Sequence, residues 1–96
     1  MNRLEVQGQI LELSPLRYTP AGIAVLEFLL SHESEVTEAG KVRRLAFTLA
    51  VVALGDLAQM ASTTSLGRAV RVQGFLAPVR KDSPKFRLHA QHIQQI

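Results

Sequence analysis

The chain of 96 residues offers few groups that could transform a ligand: three histidines, no cysteine, and eight scattered Asp and Glu. His89 and His92 stand three apart, which suits a metal site on a helix. In a strand that odd separation sets them on opposite faces, and no cysteine completes a ligand set. His32 follows an apolar run and reads as a strand-end residue rather than a base. No P-loop, Rossmann glycine pattern, GxSxG or HExxH is present, so nothing points to an enzyme, a metal or a cofactor.

The stronger constellation is cationic. Arg80-Lys81 and Lys85-Phe86-Arg87 flank a proline-containing turn, Arg43-Arg44 precede Phe47, and Tyr18 adjoins Arg17. A single-stranded nucleic acid needs cations along its phosphates and flat side chains under its bases, each stack being worth about 1–3 kcal/mol. Phe47 and Phe86 suit a hydrophobic core equally well. With aromatic residues at only 5% of the chain, charge should lead any such affinity.

The charge is unevenly placed. Residues 1–60 carry five Lys/Arg against seven Asp/Glu, whereas residues 61–96 carry six against one, giving −2 and +5 and the net +3. Basicity confined to one segment suggests a polyanion surface. The hydrophobic fraction of 47% indicates a folded chain, here a single domain over residues 1–96. No apolar run reaches the roughly 20 residues of a membrane helix. The start of the chain has no signal-like stretch, so a cytoplasmic protein is expected.

The elements that must position these residues are mostly strands. Leu4, Val6 and Ile10 alternate with polar residues, and the parity then shifts to Leu11 and Leu13, which places a bulge or bend near Gly8. Ile23 to His32 reads as a buried strand, Ser34 to Lys41 as a polar loop, and Arg43 to Val52 as a third strand whose inward face is ambiguous. Ala53 to Ala61 carries the helix signal. Ala69 to Ala77 and Phe86 to Ile96 are the last two strands, joined by the basic loop from Pro78 to Lys85. Five curved strands with a short helix between the third and fourth is the order of the OB-fold, an all-β Greek-key barrel that commonly binds oligonucleotides.

Several short strings then point to a family. Asn2-Arg3-Leu4, Pro15-Leu16-Arg17, Pro20-Ala21-Gly22-Ile23, Glu38-Ala39-Gly40, Val72-Gln73-Gly74-Phe75 and Leu88-His89-Ala90-Gln91 together resemble the primosomal replication protein N (PriB) family, in its order and spacing. The resemblance implies an OB-fold homodimer that binds single-stranded DNA, stimulates the PriA helicase and helps to recruit DnaT in replication restart. It also implies that the family's third-strand aromatic, usually Trp, falls on Phe47 beside Arg43 and Arg44. The family's Lys-rich loop falls on Arg80, Lys81 and Lys85.

This chain departs from the pattern in ways that predict weaker binding. Phe47 replaces an indole, the loop is short and contains Pro84, and Tyr18 and Ser34 stand where relatives carry basic residues. Two other readings compete. A general single-stranded DNA-binding protein would carry a long acid-tipped tail, whereas this chain ends at Gln94-Gln95-Ile96. A protein adaptor would use Phe75 and the apolar third strand as contact surfaces.

Overall fold

The computed structural model describes residues 1–96. The strands are β1 (Leu4–Leu13), β2 (Arg17–Tyr18), β3 (Ala24–Glu38), β4 (Lys41–Leu54), β5 (Ala69–Pro78) and β6 (Phe86–Gln95), with one helix, α1 (Asp56–Ala61), between β4 and β5. Leaving aside the two-residue β2, the helix follows the third long strand, as the OB-fold order requires. The sheet runs β1-β5-β6-β4-β3, and β3 pairs back onto β1 to close the barrel. Closure rests on the parallel β4–β6 pairing of Val51 with Leu88 and Val52 with His89. This is an OB-fold barrel.

Its interior is lined by alternate residues of every long strand, including Leu26, Leu30, Val51, Val70, Val72 and Leu88, all essentially inaccessible. Ala58 and Ala61 of α1 are buried in the same core, with the helix packed on β3, β4 and β6. No helix is long and apolar enough to cross a membrane.

Four expectations need correction. Ser34 to Lys41 is not a loop: β3 and β4 stay in register from Val25↔Leu54 out to Glu38↔Lys41. Only Ala39 and Gly40 turn, with φ of 51° and 75°, the pair of positive values that matches the strand twist in a two-residue hairpin. The polar composition looks loop-like because both faces of this arm are solvated. The bulge in β1 lies between Ile10 and Glu12, not at Gly8. Gly8 serves a close approach instead, since a Cβ there would collide with the Ser31 carbonyl. The helix starts at Asp56 because Val52 and Ala53 are still buried strand residues.

The fourth correction concerns the histidines. β6 shifts register against β5 where Gln91 is passed over, so His89 faces Phe75 and His92 faces Gln73. One extra residue restores parity, and both imidazoles project from the same outer face.

Candidate nucleic-acid interface

Pairing in the β3–β4 hairpin settles which side chains share a face, because directly opposed residues project together. Phe47 is opposite His32, Leu45 opposite Ser34, and Arg43 opposite Val36, on the side that continues into the core through Leu49 and Val51. Arg44, Ala46, Thr48 and Ala50 lie on the other side, with Glu35, Glu33, Ser31 and Leu29. Arg43 and Arg44 therefore point to opposite faces of one arm.

Phe47 is 43% exposed, neither in the core nor fully free. Its ring tilts against that of His32, with centroids 4.8 Å apart. The Nδ1–H of His32 donates to the Gln7 carbonyl at 2.5 Å, which leaves Nε2 to accept from the Ser34 hydroxyl at 2.8 Å. Phe47 and His32 line a shallow cavity with Glu5, Val6 and Gln7, on β1. A base at this spot would meet a carboxylate rather than a cationic loop.

The basic loop sits elsewhere. It springs from Val79, whose N–H donates to the Lys85 carbonyl at 2.9 Å, and Val79 lines a cleft with Leu29 and Ala50 on the outer face of the hairpin. The Ser83 N–H bonds the Arg80 carbonyl at 3.0 Å and the Ser83 hydroxyl accepts from the Lys85 N–H at 3.1 Å, a compact turn with Asp82 at positive φ. Arg80, Lys81 and Lys85 take part in no ion pair.

The other candidate cations are engaged. Arg43 pairs with Glu38, and Arg44 lies 3.8 Å from Glu33. Arg87 Nη1 donates to Glu27 Oε1 at 3.0 Å, and Arg17 Nη2 donates to the same oxygen at 3.2 Å. Tyr18, next along β2, is exposed but opposite Ala24, so it projects away from Arg17 and its partner. Pairing with a carboxylate subtracts from what a cation can give a phosphate, which leaves the three loop residues as the unpaired charge among the candidate residues; Arg3, Lys41 and Arg68 are also without a carboxylate partner.

The structure thus gathers Arg17, Glu27, Arg87 and the base of the loop on the outer face of β3–β4, with Arg44 farther along it. It does not bring Phe47 or Arg43 to that face. Sequence reading left Arg17 and Glu27 out of the site. Their only sequence signal is a Pro-Leu-Arg turn and a Glu at an outward position of a buried strand.

On the same barrel, β5 and β6 carry a second outer patch. Phe75 and His89 stack with centroids 5.1 Å apart and planes 12° from parallel. Burial, and then the nearby Arg87 charge, hold the His89 imidazole below the ordinary histidine value of 6.5.

A closed OB barrel flanked by an unpaired cationic loop defines the class of single-strand-binding modules. The sequence matches the model described as "another single-strand binding protein family" over residues 2–92. It is 54% identical to the replication restart protein PriB of Bordetella pertussis, over all of this chain and 90% of that one. It is 36% identical to the PriB of Nitrosomonas europaea, over 99% of this chain and 88% of the other. Among solved structures, PriB from Ralstonia solanacearum superposes with a TM-score of 0.88 at 26% identity, covering 99% and 97% of the two chains. The single-stranded DNA binding protein from Thermus aquaticus superposes at 0.81 and 26% identity, over all of this chain and 50% of that one. The chain belongs to the PriB family of replication restart proteins.

Proposed function

We propose that this chain binds single-stranded DNA as an accessory protein of the replication-restart primosome. The observation that carries the reading is the set of three unpaired cations, Arg80, Lys81 and Lys85, on the loop beside the outer face of β3–β4. Phosphates track this loop, and the strand crosses the hairpin face bearing Ala46, Thr48 and Ala50, whose short side chains let sugars and bases approach closely. With the loop supplying the charge, backbone contacts dominate and no covalent chemistry takes place.

Phe47 and Arg43 lie off this path. Phe47 stands instead beside Leu4–Gly8 of β1, where β1 pairs with β5 alone and its other edge has no strand partner, only the His32 bond to the Gln7 carbonyl. An open edge of this kind is where a second copy can pair, so the homodimer joins there, with Phe47 at its margin. In the cytoplasm the dimer holds a single strand near a fork, stimulates the PriA helicase and helps to recruit DnaT. The names of the relatives, all replication restart proteins, support this placement.

The test is an anisotropy titration of labelled single-stranded and duplex oligonucleotides of equal length at fixed salt. Preference for the single strand supports the reading, and equal or absent binding to both refutes it.

A further inference from the structure

β6 adjoins β4 through the Val51–Leu88 and Val52–His89 pairs, so the outer face of the hairpin continues round the barrel wall onto β6 and β5. The basic loop connects these last two strands and borders both regions. Beyond the loop, β5 and β6 turn a ladder of paired side chains outward: Ala77 with Arg87, Phe75 with His89, Gln73 with His92, and Arg71 with Gln94. Phe75 and His89 are half-buried and nearly parallel in the middle of that ladder. The charge on this face is positive. Glu5, opposite Gln73 on β1, is held by Arg71. Arg3 is exposed and has no carboxylate partner. The Gln73 side-chain oxygen accepts from Arg3 Nε at 2.9 Å and from Nη2 at 2.8 Å, and a neutral amide positions a guanidinium without cancelling its charge. The hairpin face, by contrast, sets Glu33 and Glu35 beside Arg44.

We infer that the outer face of β5–β6 is a second segment of the single-strand path: a strand leaving the loop runs along it, with a base against the Phe75–His89 pair and a phosphate against Arg3. The inference rests on the single-strand reading above. Flat rings flanked by unneutralised cations are what a single strand requires of a surface. Gln73, His92 and Gln94 add side-chain donors that any phosphate or base edge can use, so this segment adds affinity and no sequence preference. Arg3 also supplies a phosphate contact beyond the three cations of the loop.

The chain contains no tryptophan, so Phe75→Trp places a single indole on the ladder. Oligo(dT) of about 16 nucleotides, the long end of an OB-fold site, should quench that indole with the same midpoint that anisotropy gives. Met60→Trp, on the exposed side of α1, should stay unquenched. Phe75→Leu keeps the apolar packing without a flat ring and should weaken binding about fivefold, the weak end of a base stack. Arg3→Ala, which leaves the core untouched, should flatten the slope of log K against log salt by about 0.7. An indole at position 75 that is not quenched while anisotropy reports bound oligo(dT) overturns the inference and leaves single-strand binding standing. Equal quenching in Met60→Trp overturns it too, since the signal would then not be local. An unchanged salt slope in Arg3→Ala overturns it even where the Phe75 variants fail to fold. Failure of the unaltered protein to bind oligo(dT) overturns the reading beneath it.

Discussion

At the scale of single residues, two kinds of position have consequences that can be measured. Gly8 approaches the Ser31 carbonyl and Gly74 the His89 carbonyl so closely that neither has room for a methyl group. In both cases the obstacle is backbone in a paired strand, which cannot rotate aside. Gly8→Ala and Gly74→Ala should each lower stability by about 1–3 kcal/mol, the usual cost of overpacking, read from denaturant midpoints. His89 gives the second consequence. Its folded-state value lies below 6.5, so as pH falls through 6.5 the unfolded chain takes up the proton first. Stability is unaffected above 6.5 and declines between 6.5 and the lower folded-state value. His89→Gln should flatten that part of the stability–pH curve, with proton NMR of the imidazole confirming the depressed titration.

At the scale of elements, the β3–β4 hairpin and the β5–β6 loop decide the site. If the loop supplies the available charge, Lys81→Ala and Lys85→Ala should each flatten the slope of log K against log salt by about 0.7. Arg43→Ala removes a cation already held by Glu38 on the other face, and Phe47→Ala removes a ring that does not face the loop. Both should change single-strand affinity less than either lysine substitution at the same salt. The barrel strands were legible in the sequence because alternation marks one buried face, as in Leu4-Val6-Ile10 and Val70-Val72. The hairpin arm was not, since alternation vanishes where both faces meet water. The inward side of Arg43 to Val52 stayed ambiguous for the opposite reason, with apolar residues at both parities. Without that parity, Phe47 could not be assigned to a face, and the bulge at Gln91 defeated the same rule for His89 and His92. The basic loop was legible because charge density does not depend on register.

At the scale of the whole molecule, a closed barrel leaves few unpaired edges, and the stretch Leu4–Gly8 of β1, held on that side only by His32 at the Gln7 carbonyl, is a notable one. Sedimentation velocity should give a dimer whose dissociation is promoted by charge at its margin. Phe47→Asp should then shift the population toward monomer at concentrations where the unaltered protein is dimeric. A monomer at all concentrations would remove the dimer from the proposal. Electrostatics acts at this scale as well, for a net charge of +3 hides a C-terminal segment, residues 61–96, carrying +5.

The measurement that bears most directly on the central claim is the salt dependence of single-strand affinity, taken for the unaltered protein and for Arg80, Lys81 and Lys85 replaced together by alanine. Three or four cations facing phosphates should give a slope of about −2 to −3, and removing the loop's three should bring it close to zero. An unchanged slope in the triple variant would contradict the claim that this loop is the phosphate-binding element.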